Sequence, residues 1–160
     1  MSGRSWPRII LVPTDFSVCA ETALDYALQI AARVGAKVYV MHAYQLPVVG
    51  FPDGVLLPTA SVASGILTWA QGQLAACVAR RKESSVEIIP VLKQADARAA
   101  VLEAADELSA DLVVMGTHGR HGLARALIGS VAEAVVRTST VPVLTIHAAD
   151  ASDAQRGASA

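Results

Sequence analysis

The chain has 160 residues, of which 53% are hydrophobic and only 4% aromatic, and its formal net charge is −1. This length is that of one domain with a substantial core, which must consist mainly of alanine, valine, leucine and isoleucine. The near-neutral charge gives no general basic field, so nucleic acids and anionic membranes are not expected partners. Cys19 and Cys77 lie in no metal-binding or redox spacing, and we expect both to be small buried groups in a reducing cytoplasm.

The sequence carries no targeting or membrane signal that we recognise. Its N-terminus lacks a basic region followed by a long apolar core, and no run of eighteen uninterrupted apolar residues occurs. We therefore expect a cytoplasmic protein with neither a secretory signal nor a transmembrane helix.

The first part of the chain alternates apolar strands with an amphipathic helix. Residues 8–12 predict a buried strand, which a turn over 13–17 links to a helix over 18–33. Gly35 is expected to end this helix in a left-handed conformation. Residues 37–43 predict the second strand.

The stretch over 45–65 interrupts this alternation with several prolines and glycines. Asp53 is the only charged residue in 45–79, which is unusual for a surface connection. One interpretation is a long loop folded over the ligand end of the sheet, followed by a helix through Trp69 and Leu74. The alternative is an apolar contact surface for a second subunit or a partner. The sequence does not separate these two.

Residues 86–92 predict a third strand, which Pro90 places at a sheet edge because proline cannot donate to a ladder. A helix over 97–108 follows, with Asp96 as its N-cap. Asp111 then opens the fourth strand, at the end of the sheet opposite the ligand, so we interpret it as structural.

The fourth strand, over 112–115, leads through a glycine-rich segment into a helix that ends near Thr138. Residues 142–146 predict a short fifth strand, and 148–160 are small and polar, which predicts a disordered tail. The whole pattern is β-α-β-α-β-α-β-α-β. It predicts an α/β fold with a five-stranded parallel sheet and helices on both faces, whose ligands bind beyond the carboxyl ends of the strands.

The glycine-rich segment has the pattern Gly116-x2-Gly119-x9-Gly129-Ser130. Glycine lets backbone amides approach a ligand, and a helix N-terminus adds N–H donors and the positive end of a dipole. The segment therefore predicts a cradle for an anion, most simply a phosphate. It is neither a Walker A loop nor a G-x-G-x-x-G fingerprint. The Ser130 hydroxyl could cap the helix or donate to the anion.

This glycine spacing resembles the nucleotide-binding signature of the universal stress protein family, in its ATP-binding branch. The resemblance extends to residues 9–17, to Met41-His42-Ala43 and to Val141-Pro142-Val143-Leu144. It implies a Rossmann-like, adenine nucleotide alpha hydrolase-like domain over 1–147 with strand order 3-2-1-4-5. The sequence departs from the family after the third strand, where Lys93-Gln94-Ala95-Asp96 replaces a frequent glycine and proline.

The resemblance also implies a ligand, ATP, with Mg²⁺ carried on its phosphates. The implied binding residues follow the first, second and fourth strands: Pro13, Thr14, Asp15, Ala43, Met115, Gly116, Gly119, Arg120, Gly129, Ser130, Val131 and Ala132. Several have an ordinary structural alternative. Asp15 could be the N-cap of the first helix, and Arg120 could be a solvated loop residue. His42 is expected to be a core histidine bonded to backbone, and His118 and His121 lack further ligands for zinc.

No nucleophile, base and orienting group can be named together, so we assign no catalytic residue and leave ATP hydrolysis open. We expect a nucleotide-responsive regulatory homodimer of the stress response. The homodimer is expected to form through the apolar edge strand from Val141 to Ile146, as the resemblance also implies. One alternative is an ATP-using enzyme, a slow ATPase or a ligase-like protein, of the same architecture. A second is a structural dimer that binds no nucleotide, although the intact glycine pattern argues against it.

Overall fold

The computed structural model describes residues 6–117 and 128–147. Within these residues, strands and helices follow in the order β1 Ile9–Pro13, α1 Val18–Val34, β2 Lys37–Tyr44, β3 Val49–Phe51, β4 Gly54–Leu56, α2 Ala60–Ala79, β5 Ile88–Gln94, α3 Ala97–Glu107, β6 Leu112–Gly116, α4 Ser130–Thr138 and β7 Val143–Ile146.

The main sheet has five strands in the order β5-β2-β1-β6-β7, and every adjacent pair is parallel. Counted as strands of this sheet in chain order, the arrangement is 3-2-1-4-5, which confirms the predicted fold class. The direction of winding reverses between β1 and β6, which are neighbours. In open parallel sheets, the crevice for ligands lies at this reversal, beyond the carboxyl ends of the strands.

Successive residues of the central strands point to opposite faces, so the sheet buries two separate cores. Ile10, Val12 and Val40 pack under α1 and α2. Leu11 and Val113 pack on the other face, under α3 and α4. Both cores consist of aliphatic residues and alanine, as the composition predicts, and the central strands are buried on both sides.

The ends of α1 are set by local chemistry. Gly35 ends the helix with a φ of 73°, which confirms the prediction made for this glycine. The N-cap is Ser17, whose side-chain oxygen accepts the N–H of Ala20 at 3.2 Å. The structural alternative for Asp15 was therefore wrong, because the capping position lies two residues further along the chain.

The stretch predicted as a long loop is partly regular. β3 and β4 form an antiparallel hairpin whose turn is Pro52-Asp53, followed by Gly54. Pro-Asp-Gly is a frequent turn sequence that the sequence analysis overlooked. α2 begins at Ala60, earlier than predicted, because Thr59 caps it by accepting the N–H of Val62 at 3.3 Å. Gly65 therefore lies inside the helix rather than before it.

Two other predictions concern the rim of the sheet. Pro90 lies in β5, which is an edge strand as predicted, although the strand runs over Ile88–Gln94 and so begins later than expected. Asp111 is structural, as predicted. Its Oδ2 accepts the N–H groups of Arg8 at 2.8 Å and Ile9 at 3.0 Å, which holds the start of β1 beside β6.

Both cysteines are buried thiols that form no disulfide, as expected. The Cys19 Sγ donates to the carbonyl of Ile146 at 3.2 Å. Burial, followed by the nearby Glu21 carboxylate, raises the pKa of Cys77 to about 11. Cys77 is therefore a protonated core residue near neutral pH rather than a reactive thiolate.

An ion-pair cluster joins the end of α2 to α1. The Arg81 side chain is only 10% exposed, and it lies 2.7 Å from a carboxylate oxygen of Glu21 and 2.7 Å from one of Asp25. Burial raises the pKa of the Glu21 carboxyl, but the hydrogen bond and charge of Arg81, together with Arg80, outweigh burial and hold that pKa below its usual value. Because the pKa of Glu21 is depressed in the folded protein, the ion pair stabilises the fold at pH values above the ordinary carboxyl pKa. This stabilisation is lost as the pH falls through the depressed pKa.

We expect Arg81→Met to lower the free energy of unfolding at neutral pH by about 1–2 kcal/mol, because it leaves the half-buried Glu21 without its main partner. The difference from the unchanged protein should shrink as the pH falls below 4.5, the ordinary pKa of the carboxyl. Urea unfolding at several pH values measures both effects. The control is Arg137→Met, which removes an exposed pair with Glu133 and should change little. Equal losses in the two variants would contradict the assignment.

Candidate functional site

Three predicted site residues come together on one face of the sheet. Pro13, Ala43 and Met115 lie at the carboxyl ends of the adjacent strands β1, β2 and β6. Two positions before each of them, in the same strand, lies a core residue that faces α3 and α4. These core residues are Leu11, Met41 and Val113, respectively. The alternation of a strand therefore directs all three toward the same face. Met115 is buried, and Ala43 packs against the same core.

Hydrogen bonds hold the loop between β1 and α1 in one conformation. The Thr14 N–H donates to the carbonyl of Met41 at 2.8 Å, which extends the pairing of β1 with β2 by one residue. The Thr14 hydroxyl oxygen accepts the N–H of Phe16, and the Asp15 Oδ1 accepts the N–H of Ser17, both at 3.0 Å. These contacts place the partly exposed Asp15 carboxylate at the carboxyl edge, next to the end of β1.

The same loop is anchored from the opposite face of the sheet. Phe16 has a φ of +65°, an unusual backbone conformation for a bulky residue, which costs on the order of 1–3 kcal/mol. Its ring lies 4.4 Å from the His42 ring and 6.0 Å from the Trp69 ring, centroid to centroid. His42 is buried, and its Nδ1 lies 2.8 Å from the Thr14 carbonyl oxygen, which confirms the structural interpretation of this histidine. The sequence analysis did not find this aromatic cluster, since its members are distant in sequence.

Gly116 has a packing role that the sequence did not reveal. A β-carbon built on it would lie 2.8 Å from the Cys19 Sγ, 3.0 Å from the Cys19 carbonyl carbon and 3.2 Å from the Ala20 nitrogen. The first turn of α1 therefore approaches the end of β6 as closely as a glycine allows. This approach brings the loop after β1 next to the loop after β6.

The start of α4 presents backbone donors. Its N-cap is Gly129, and among the described residues no side chain caps the helix. The prediction that the Ser130 hydroxyl could cap it was wrong, because Ser130 is already the first helical residue. The first N–H groups of a helix, here those of Ser130, Val131 and Ala132, have no partner within the helix. Ala132 is buried in the α3 and α4 core, so these donors lie on the same face as Met115.

Thr117 joins the two sides of the glycine-rich segment. Its N–H donates to the Ile146 carbonyl at 2.9 Å, and its carbonyl accepts the Gly129 N–H at 2.7 Å. The start of α4 is thereby held at the end of β6. Thr117 is a positioning residue that the sequence analysis missed, and only its place directly after Gly116 could have indicated it.

Two predicted site residues, Gly119 and Arg120, lie outside the described residues, as do His118 and His121 and the tail over 148–160. In the parts of the chain that the structure describes, no group of three or more His, Cys, Asp or Glu side chains could hold a metal ion. The described site therefore consists of backbone donors, apolar strand ends and one carboxylate.

The fold and this site define a class. The protein is an α/β protein with an open parallel sheet, and its candidate site lies at the carboxyl edge where the strand order reverses. The chain belongs to the universal stress protein family, whose model matches residues 7–147.

Known relatives agree with this assignment. The chain is 33% identical over 149 residues to Universal stress protein MJ0531 of Methanocaldococcus jannaschii, covering 91% of this chain and 85% of that protein. It is 30% identical over 145 residues to Universal stress protein A homolog 1 of Coxiella burnetii, covering 86% and 94%.

Solved structures share the fold. A universal stress protein crystallised in complex with cAMP superposes with a TM-score of 0.69 at 30% identity, covering 91% of this chain and 100% of that one. UspA from Lactobacillus plantarum superposes with a TM-score of 0.74 at 22% identity, covering 86% and 96%.

Proposed function

We propose that the protein binds an adenine nucleotide, ATP with Mg²⁺, at the carboxyl edge of β1, β2 and β6, and that occupancy regulates its interactions in the stress response. One observation carries the proposal. The start of α4, which no side chain in the described part of the chain caps, lies on the same face as Pro13, Ala43 and Met115, at the β1–β6 reversal. Backbone donors, apolar strand ends and a carboxylate are the groups that phosphate, base and ribose require.

Each group has a part in this proposal. The amides of Ser130, Val131 and Ala132 hold the phosphates, assisted by Gly119 and Arg120, and Mg²⁺ enters with the phosphates. Gly129, whose own N–H donates to the Thr117 carbonyl, lets the phosphates approach these amides closely. Asp15 accepts hydrogen bonds from the ribose hydroxyls. Thr14 fixes the loop that carries Asp15, and Gly116 sets the spacing between that loop and the phosphate side. Ala43 and Met115 contact the base and the sugar.

The relative crystallised in complex with cAMP supports an adenine nucleotide as the ligand class, since it is 30% identical to this chain over nearly its whole length. No residue of the site is assigned as a nucleophile or a base, so the proposed function is binding and regulation rather than catalysis.

The proposal includes a cytoplasmic homodimer that forms through β7. This strand ends the sheet next to β6, and all four of its residues are only half-buried. An edge strand presents unpaired N–H and C=O groups, which a second copy of the same strand can pair. Two copies of the sheet would then continue into each other.

Ser130→Pro tests the phosphate side of the proposed site. Proline is tolerated at the first helical position, and Gly129 has a ψ of 150°, which suits a residue before proline. The substitution therefore removes one N–H donor while α4 persists. We expect the affinity for ATP, measured by calorimetry, to fall about fivefold, since other donors remain.

The matched control is Ser130→Ala, which removes the hydroxyl and keeps the N–H. A loss with Ser130→Pro alone supports backbone binding, and an equal loss in both variants assigns the contact to the hydroxyl. Unchanged affinity in Ser130→Pro, with α4 intact by circular dichroism, would contradict the phosphate site.

A further inference from the structure

A large apolar surface adjoins α2, which packs on the face of the sheet opposite α3 and α4. We call it the hairpin–α2 face, formed by the β3–β4 hairpin, its flanking residues and the exposed side of α2. Its large hydrophobic side chains are 46–67% exposed, and they are Val48, Val49, Phe51, Val55, Leu56, Leu57, Val62 and Trp69. α2 buries only Ala70, Leu74 and Cys77. Exposed large apolar side chains in this number are uncommon on a monomer and mark an interaction site.

The size of this face matches a protein interface. At these exposures, its eight side chains leave on the order of 900 Å² accessible, whereas a standard protein–protein interface buries about 800 Å² on each partner. Covering the face would therefore supply the apolar area of a stable contact without help from the rest of the surface.

The charges favour a second copy of the chain over a lipid surface. By length and composition, α2 is long and apolar enough to cross a membrane, and 17% of its apolar 18-residue stretch is buried. However, helices that lie on membranes usually carry Lys or Arg on their polar face, and α2 has neither. Asp53 is the only charged residue in 45–79, so two copies of this face meet with little repulsion.

The shape of the face also suits self-association. An open cavity of about 600 Å³ lies beside α2, lined by Tyr44, Val62, Ile66 and Trp69 among others. The hairpin immediately precedes α2 in the chain, and its two strands pack mainly on each other, which leaves Phe51 exposed. A contact with two-fold symmetry must be self-complementary, and a projecting side chain together with a cavity on the same patch can meet this condition.

We propose that the hairpin–α2 face is a homotypic interface, in which Phe51 of one copy enters the cavity beside Trp69 of the other. This interface is separate from β7 and does not depend on nucleotide binding. If its two-fold axis crosses that of the β7 contact at a right angle, the two contacts together give a closed assembly of four chains. With β7 unpaired, the hairpin–α2 face alone gives a dimer.

Trp69 reports directly on this interface. The chain has two tryptophans, so Trp6→Phe leaves Trp69 as the single emitter. In that background we expect Trp69 emission to shift to shorter wavelength as the protein concentration rises, because association buries its ring. Phe51→Glu should abolish the shift and halve the mass measured by sedimentation. Phe51 is 58% exposed, so the change should leave the fold intact by circular dichroism.

Two matched variants separate the alternatives. Tyr26→Glu places the same charge at an exposed aromatic residue of α1 and should leave both mass and emission unchanged. Thr145→Pro, which disrupts β7, should leave the concentration-dependent shift of Trp69 in place. Three results would overturn the proposal. One is a Trp69 shift that survives Phe51→Glu, and another is a shift that appears only with phospholipid vesicles. The third is an emission independent of concentration together with an unchanged mass in Phe51→Glu.

Discussion

Replacing Gly116 with alanine is expected to lower the free energy of unfolding by about 1–3 kcal/mol. The added methyl group would meet the Cys19 Sγ at 2.8 Å and the Cys19 carbonyl carbon at 3.0 Å. The sulfur can rotate away at the cost of its hydrogen bond to Ile146, but the backbone of α1 cannot move away freely, because Ser17 caps the helix there. β6 and α1 must therefore separate, and the fold loses close packing at the edge that carries the site.

Urea unfolding measures this loss, and a second glycine serves as its control. Gly72 lies within α2, and a β-carbon built there would meet nothing within 4 Å. Gly72→Ala should therefore stabilise the protein by about 0.4–1 kcal/mol through the unfolded state. Adding Cys19→Ala to Gly116→Ala should recover only part of the loss, since the backbone contact remains. Equal effects of alanine at the two glycines would show that Gly116 is not needed for close approach.

Replacing Asp15 with asparagine is expected to weaken ATP binding by about 10- to 100-fold, because hydrogen bonds to a charged group contribute more than those to a neutral one. Asparagine keeps an oxygen that can accept the Ser17 N–H, so the loop should persist. Calorimetry with ATP measures the affinity, and thermal unfolding without nucleotide measures any effect on the fold.

Asp111→Asn makes the same chemical change at the other end of the β1–β6 pair. Asp111 accepts the N–H groups of Arg8 and Ile9, so its substitution should lower stability and leave the affinity for ATP unchanged. The two variants should therefore show opposite patterns. If Asp15→Asn affects only stability, or Asp111→Asn affects affinity as strongly, the carboxyl edge is not the binding site.

Features encoded by nearby residues could be predicted from the sequence. The apolar run of β1 and its proline-containing turn indicate a buried strand, Gly35 indicates a helix end, and Pro90 indicates an edge strand. Each of these depends on backbone sterics or hydrogen bonding within a few residues. The strand order, by contrast, followed from the family resemblance rather than from the residues themselves.

Features that depend on distant contacts could not be predicted. Nothing near Gly116 in sequence shows that α1 approaches it, and nothing near Phe16 shows that its ring packs against those of His42 and Trp69. Helix caps were misplaced by one or two residues, because Asp15 and Ser17 are both good caps and the loop geometry decides between them. The hairpin had a local signal, Pro52-Asp53-Gly54, which the sequence analysis interpreted only as an interruption of the regular elements.

The central claim is that the backbone N–H groups at the start of α4 and the Asp15 carboxylate hold one adenine nucleotide between them. Calorimetry with ATP and Mg²⁺, on protein denatured to release any bound nucleotide and then refolded, tests this claim most directly. We predict saturable binding of one nucleotide per chain, weakened in Asp15→Asn and Ser130→Pro and unchanged in Asp111→Asn. Refolded protein that binds no nucleotide, from a preparation that released none on denaturation, would contradict it.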